Sequence, residues 1–150
     1  MRTFKHSFTL STHVEKVWEF YTDIEHLNLV TPKEVNLKVL DSTGKRFIQG
    51  TQFWIRGRIL LFPIEWHSVI KSITPYEYVD EMLSGPFRRW VHLHKFRYDV
   101  ELKQTQVVDE VGFELPYGML GKLLDGLAIY ELQKIFEYRK KTTVELLGNG

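Results

Sequence analysis

Hydrophobic and polar residues alternate along most of this chain, which is the pattern of β-strands that bury one face. The alternation begins near the N-terminus, where Phe4, His6, Phe8 and Leu10 share a face. After a helical region it returns in six short segments at the regular spacing of an antiparallel meander. The predicted strands cover residues 3–10, 35–40, 51–61, 64–74, 76–83, 87–100 and 105–115.

Two short helices are predicted after the first strand. The first covers residues 13–22 and the second covers 24–30, where a Thr-Pro pair ends it. Ser11 or Thr12 is expected to cap the first helix, because Glu15 follows Thr12 at the spacing of a capping box.

The longest helical pattern runs from Met119 to Leu146. Its predicted apolar face consists of Leu120, Leu123, Leu124, Leu127, Ile135 and Tyr138. A seven-stranded antiparallel sheet cannot leave an aromatic face in water, and one long helix is available to cover it. We therefore predict an α+β fold with a single domain over residues 1–150, in which a curved sheet wraps around the C-terminal helix and leaves space between them.

The strand that follows the Gly-Pro break has an unusual inner face. Trp90, His92, His94, Phe96 and Tyr98 share this face, whereas the charged residues of the strand belong mostly to the other one. A core built only for stability would favour aliphatic side chains, since each buried imidazole needs hydrogen-bond partners. Aromatic side chains with a few polar groups are typical of a small-molecule cavity.

Composition narrows the classes of function. The 150 residues carry a net charge of +1, from 20 Lys and Arg against 19 Asp and Glu, which gives no reason to expect nucleic acid or an anionic membrane as partner. The longest basic run, Arg139-Lys140-Lys141, is interpreted as a solvated helix end. With no cysteine, no signal-peptide core and no apolar run of membrane-spanning length, the protein is expected to be cytoplasmic and without membrane insertion.

The paired histidines are the first candidates for chemistry. His92 and His94 lie roughly 6.8 Å apart at Cα on one strand face. They could hold a metal with Asp109, Glu110 or His67 as third ligand, contact a bound molecule, or be structural. The pattern lacks the spacing of an established metal motif, so we predict no metal and no cofactor.

A carboxylate on the next strand is expected to face these histidines. A hairpin turn near Leu102 would place Asp109 opposite His94 or Phe96, either as an acid/base partner of a histidine or as a buried structural pair. Arg88, just after the Gly-Pro turn, is a candidate contact for a ligand carboxylate or phosphate, although such arginines commonly extend into solvent.

Several motifs together resemble a known superfamily over essentially the whole chain. They are Phe8-Thr9-Leu10-Ser11-Thr12 with Val14-x-x-Val17-Trp18-x-x-Tyr21, then Trp66, Tyr78-Val79-Asp80-Glu81, Gly85-Pro86-Phe87-x-x-Trp90-x-His92-x-His94-x-Phe96, and Asp109-x-Val111-x-Phe113-x-Leu115-Pro116-Tyr117-Gly118. The chain is similar to START-like (SRPBCC) proteins, which include the birch-pollen allergen, lipid-transfer START domains and polyketide cyclases. The later motifs look like a prokaryotic branch labelled ligand-binding SRPBCC or "cell division inhibitor". The resemblance implies a helix-grip fold and an interior cavity for a hydrophobic ligand.

The leading functional hypothesis is a carrier or sensor that binds a hydrophobic or aromatic small molecule between the sheet and the C-terminal helix. The predicted ligand-binding residues are Trp66, Ile70, Phe87, Arg88, Trp90, His92, His94, Phe96, Phe113, Leu120, Leu124 and Leu127. One alternative is a cyclase- or dehydratase-type enzyme that uses His92, His94 and Asp109 as acid/base groups. Another is an interaction module with an exposed apolar patch. We expect a monomer or a weak homodimer.

Overall fold

A computed structural model describes residues 1–59 and 61–148; Leu60, within the predicted strand 51–61, lies outside the described residues. In the described part, seven strands form one antiparallel sheet in the order β1-β7-β6-β5-β4-β3-β2. The strands are β1 Arg2–Leu10, β2 Lys38–Ser42, β3 Gln52–Ile59, β4 Phe62–Thr74, β5 Glu77–Ser84, β6 Arg89–Asp99 and β7 Gln104–Glu114. The helices are α1 Val14–Tyr21, α2 Gly118–Leu123 and α3 Asp125–Leu147, with single 3-10 turns at Ile24–His26 and Lys33–Val35.

The sheet is open and curved, and its inner face buries two apolar clusters. One cluster packs around α1 and includes Phe8, Val17 and Phe96. The other joins Trp90 and Phe113 to residues of α3. Burial of apolar side chains against helices at two places along the sheet confirms the predicted helix-grip α+β fold.

The alternation predicted for β6 is confirmed by burial. Trp90, His92, His94 and Phe96 are all at least nine-tenths buried, whereas the residues between them are partly exposed. The β6–β7 hairpin places Asp109 directly opposite His94, which was one of the two predicted partners.

The prediction for the cap of α1 is wrong. His13 is the N-cap, and its ring Nδ1 accepts a hydrogen bond of 3.3 Å from the backbone N–H of Glu15. Thr12 cannot cap the helix because its buried hydroxyl donates to the carbonyl of Leu147 at the end of α3. A tertiary contact therefore replaces the local capping box.

The second predicted helix, 24–30, is also wrong. Only the 3-10 turn Ile24–His26 forms, and the carboxylate of Asp23 caps it by accepting from the backbone N–H of Glu25 at 2.9 Å. The predicted strand 35–40 begins instead at Lys38, after a second 3-10 turn. The apolar side chains between 27 and 37 cover one side of a cavity, which explains why their spacing fits neither a helix nor a strand.

Several other strand boundaries differ from prediction by one or two residues, including the starts of β4 and β6. β4 starts at Phe62 and contains Pro63, which pairs with Arg58 next to the hairpin turn, where the missing N–H of proline is tolerated. β6 starts at Arg89 rather than at Phe87.

The C-terminal helical pattern forms two helices instead of one. The break falls at Leu124, and Gly121 makes the entry to α2 possible because a Cβ there would lie 2.2 Å from the carbonyl oxygen of Pro116. The predicted apolar face of Leu120, Leu123, Leu124 and Leu127 is 46–80% exposed, so this part of the prediction is wrong. None of the described helices combines the length and apolar character needed to cross a membrane.

Candidate functional site

A cavity of about 200 Å³ lies between the inner face of the sheet and α3. The sheet contributes aromatic and polar side chains from β4, β5 and β6, and α3 contributes Leu132, Ile135, Phe136 and Arg139. The segment between α1 and β2 forms the third wall. From that segment the cavity is lined by Asp23, His26, Leu27, Val30, Thr31, Val35 and Leu37.

An aromatic group forms one part of the cavity wall. Trp66 and Trp90 pack edge to face with their ring centroids 4.9 Å apart, and Phe87 lies 4.9 Å from Trp90. The indole N–H of Trp66 donates to the hydroxyl of Ser68 at 2.8 Å, so its polar atom is satisfied within the wall. This group presents ring surface to whatever occupies the cavity.

A second part of the wall is polar and is built by strand register. β5 places Asp80 opposite His92, and β7 places Asp109 opposite His94. His94 Nε2 lies 2.6 Å from Asp80 Oδ2, and His92 Nε2 lies 2.8 Å from Asp109 Oδ1. The two imidazole rings stack with centroids 3.6 Å apart. Asp80 and both histidines line the cavity, whereas Asp109 lies behind them and is 1% exposed.

The two carboxyl groups have opposite pKa shifts. Burial raises the pKa of Asp80 to about 6 from its ordinary 3.8, despite the neighbouring His92 and Arg139. Burial also acts to raise the pKa of Asp109, but the Arg139 guanidinium and the His92 hydrogen bond hold it well below its usual range. Burial, together with nearby positive charge, lowers the pKa of His94 well below 6.5. Carboxyl groups in one site whose pKa values diverge in this way are characteristic of acid/base pairs.

The hydrogen-bond geometry and the lowered pKa of His94 together assign the shared proton. His94 Nδ1 has no hydrogen-bond partner but lies 3.4 Å from Asp109 Oδ1, so a proton on Nδ1 is attracted to that carboxylate and a lone pair would be repelled. Neutral His94 with its proton on Nδ1 must accept at Nε2, and its partner there is Asp80 at 2.6 Å. Asp80 is then a carboxylic acid that donates to His94, in agreement with its raised pKa. The pair can exchange one proton beside the cavity.

Arg139 is the only arginine or lysine side chain among the described residues that lines this cavity, and it is 8% exposed. Its guanidinium carbon lies 4.6 Å from the ring centre of Tyr21 and 5.7 Å from that of Phe136. Burial disfavours the charge, but Asp109 and other neighbours hold the pKa of Arg139 above its ordinary value. The cavity wall therefore carries a permanent positive charge.

Three of these residues could offer ligand atoms to a metal. One atom from each of Asp80, His92 and His94 lies within 4.8 Å of the others. The third group is Asp80 rather than Asp109, Glu110 or His67. As arranged here, each histidine is hydrogen-bonded to a carboxyl group and the two rings are stacked. This arrangement favours proton sharing.

Five of the predicted ligand-binding residues come together around the cavity. They are Trp66, Phe87, Trp90, His92 and His94. Whether they contact a ligand stays a prediction.

The other predicted ligand-binding residues lie elsewhere. Ile70, Phe96 and Phe113 are buried in the apolar clusters and do not line the cavity. The Arg88 side chain is 65% exposed and its Nη1 lies 3.5 Å from the Glu114 carboxylate.

The three predicted leucines of the C-terminal region also lie away from the cavity. Leu120, Leu124 and Leu127 are 60%, 48% and 46% exposed. The break at Leu124 separates α2 from α3, so these side chains do not continue the buried face of α3.

Sequence reasoning missed three charged residues of the wall, Asp23, Asp80 and Arg139. Asp80 shares a strand face with the buried Tyr78, a signal that was available in the alternation of β5. Arg139 belongs to the run interpreted as a solvated helix end, and that interpretation is wrong for this residue. Its spacing from Leu132, Phe136 and Thr143 places it on the buried face of α3.

Comparison with known proteins agrees with this architecture. Residues 10–137 match the family model described as "Polyketide cyclase / dehydrase and lipid transport". The chain belongs to this family. This match confirms the resemblance to polyketide cyclases found in the sequence. No curated protein sequence matches the chain.

Solved structures of the same fold cover nearly the whole chain. The protein TTHA0849 from Thermus thermophilus is 20% identical, with a TM-score of 0.76 over 96% of this chain and 95% of that one. The ZhuI aromatase/cyclase from Streptomyces sp. R1128 is 12% identical, with a TM-score of 0.72 over 99% and 98%. A START superfamily protein from Mycobacterium smegmatis is 13% identical, with a TM-score of 0.62 over 91% and 95%. At these identities the likeness establishes the fold alone.

Proposed function

We propose that this protein is a carrier or sensor that binds one hydrophobic or aromatic small molecule in the cavity between the sheet and α3. The observation that carries the proposal is the cavity itself, about 200 Å³ in volume and walled mainly by aromatic and aliphatic side chains. Most of this wall is apolar, and its polar groups include Asp80, His92 and His94 on the sheet and Arg139 on α3. Sites that bind small molecules commonly combine an apolar enclosure with a few fixed polar groups.

Replacing Trp90 with alanine is expected to weaken binding of an aromatic ligand by about tenfold, because the variant loses one of the ring surfaces of the wall. Native mass spectrometry of freshly purified protein, followed by solvent extraction, would identify any retained molecule. Titration of that molecule, or of naphthalene if none is retained, would then compare the wild type with the variant.

Trp54→Ala is the matched control for this measurement. Trp54 stacks on His67 with ring centroids 4.3 Å apart and does not line the cavity, so its loss should leave affinity unchanged. Equal losses in both variants would contradict the proposal, and so would the absence of binding in the wild type.

A second function, an enzyme of the cyclase or dehydratase kind, is favoured by one specific observation. The Asp80–His94 pair shares a proton at the cavity wall, and the pKa of Asp80 is about 6, close to the neutral range where acid/base catalysts work best. A ligand carbonyl or hydroxyl held at this wall would be within reach of a donor and an acceptor. Asp80 lines the cavity and Asp109 does not, so Asp80 is the carboxyl group that would act in this reaction.

For this enzymatic hypothesis, His94→Ala is expected to reduce turnover at least about 100-fold while ligand affinity changes little. The assay would incubate the protein with a panel of aromatic β-hydroxy ketones and detect loss of water by mass spectrometry. His67→Ala is the control, since His67 hydrogen-bonds to Gln52 and lies outside the cavity. Unchanged turnover in His94→Ala, or no reaction with any member of the panel, would contradict the hypothesis.

A further inference from the structure

The guanidinium of Arg139 is buried without a direct ionic partner. No carboxylate oxygen in residues 1–59 and 61–148 lies within 4.0 Å of its nitrogens, and its Nε has no hydrogen-bond partner. Buried arginines are normally paired, because an unpaired charge loses its hydration without compensation. Arg139 lines the cavity, so a molecule in the cavity can supply the missing partner.

Asp109 and Asp80 act on Arg139 at longer range, and one oxygen of each is engaged with an imidazole, while Asp109 Oδ2 has no hydrogen-bond partner. The Oδ1 atom of Asp109 contacts His92 at 2.8 Å and His94 at 3.4 Å. Asp80 Oδ2 lies 2.6 Å from His94. These contacts direct both carboxyl groups toward the imidazoles, and the positive charge of Arg139 is balanced only at longer range.

The side chains beside Arg139 hold it in place, and its Nε donor is left without a partner. The ring of Tyr21 lies under the guanidinium at 4.6 Å, and the Tyr21 hydroxyl is hydrogen-bonded to Thr143. The hydroxyl of Thr143 in turn donates to the backbone carbonyl of Arg139 at 2.7 Å. A guanidinium fixed in this way is preorganised for a planar, two-oxygen anion, which it binds through parallel N–H groups.

We propose that Arg139 is an anion-binding residue of the cavity and that the ligand is an aromatic carboxylate. The carboxylate pairs with the guanidinium, and the aromatic rings occupy the apolar part of the cavity near Trp66 and Trp90. This inference rests on the proposed binding function and specifies the chemical class of the ligand.

Two isosteric probes separate charge from shape. 2-Naphthoate and 2-acetylnaphthalene share the same rings and carbonyl group, but only naphthoate is an anion. Calorimetric titration near neutral pH would measure the dissociation constants of both probes for the wild type, Arg139→Met and Lys140→Met. Lys140 neighbours Arg139 on the same helix and is exposed, which makes it the matched control.

In the wild type we expect naphthoate to bind at least as tightly as acetylnaphthalene, because an apolar cavity without a cation would reject the more strongly hydrated anion. Arg139→Met should raise the dissociation constant of naphthoate at least about 30-fold and change that of acetylnaphthalene by no more than about threefold. Lys140→Met should resemble the wild type for both probes. Near-ultraviolet circular dichroism checks that each variant is folded.

The outcomes distinguish the two proposals. If the wild type binds acetylnaphthalene but rejects naphthoate, the anion inference is overturned and the binding function stands. The same holds if Arg139→Met weakens the binding of the two probes equally. If the wild type binds neither probe, the anion inference and the binding function are both overturned. If Arg139→Met does not fold, Arg139→Lys replaces it; this variant keeps the charge but loses the forked donors, and a selective loss of naphthoate affinity is again required.

Discussion

Asp109→Ala is expected to lower the melting temperature by about 6 to 20 °C at neutral pH. Asp109 is 1% exposed, accepts a hydrogen bond from His92 and provides the longer-range negative charge for Arg139. Removing one member of a buried charged group leaves the others uncompensated, at a cost of about 3 to 5 kcal/mol. For a domain of this size each kcal/mol corresponds to about 2 to 4 °C. Thermal unfolding followed by circular dichroism measures the shift.

Glu110→Ala is the control for this measurement, because Glu110 is the next residue of β7 and points to the opposite face. Its side chain is 36% exposed and lies 3.6 Å from the Lys5 ammonium, a surface pair worth about 0 to 1 kcal/mol. If the melting temperature of Asp109→Ala is as close to that of the wild type as the melting temperature of Glu110→Ala is, Asp109 is not the structural counter-charge described above.

The pH dependence of the Asp109 effect has a definite sign. The folded pKa lies below the ordinary value of 3.8, so the carboxylate contributes stability above pH 3.8 and loses it progressively as the pH falls further. The difference between the wild type and Asp109→Ala should therefore be largest at neutral pH and shrink in acid. A difference that grows in acid would contradict the assigned ionisation of Asp109.

The sheet and its register were predictable because the strands alternate with a period of two. Alternation identified the inner face of β6, and the short connection to β7 restricted the partner of Asp109 to two residues. The inner face of a strand and its register can be inferred from the alternation of side chains and the length of the connection, provided that one face of the strand is buried.

The cavity itself could not be predicted in the same way. It depends on how α3 crosses the sheet and on a segment between α1 and β2 that has little regular structure of its own. Arg139 was misread because three consecutive basic residues resemble a solvated surface, although only the first one faces inward. The break at Leu124 likewise changed the phase of a leucine pattern that is continuous in the sequence.

The cavity carboxyl group Asp80 is expected to reduce stability at neutral pH, so Asp80→Asn should stabilise the protein. The folded pKa of about 6 exceeds the ordinary 3.8, which means that Asp80 contributes stability below pH 3.8 and loses it as the pH rises through 6. Above pH 6 the ionised group costs about 3 kcal/mol, since one pKa unit corresponds to about 1.4 kcal/mol. The asparagine amide cannot ionise, and its NH₂ group can donate to His94 as the carboxylic acid does.

The melting temperature of Asp80→Asn should therefore exceed that of the wild type by about 6 to 12 °C above pH 6, and the difference should vanish below pH 3.8. His94, Asp109 and Arg139 are present in both proteins, so their own titrations largely cancel in the difference.

Glu81→Gln is the control, because the Glu81 carboxylate lies 2.9 Å from the Lys71 ammonium at the surface and its loss should not stabilise the protein. A destabilised Asp80→Asn, or a difference independent of pH, would contradict the protonated carboxyl. A stabilised variant would mean that folding does not require a carboxyl group at this position. The carboxyl group of Asp80 in the cavity wall would then be explained by ligand binding or by chemistry on the ligand.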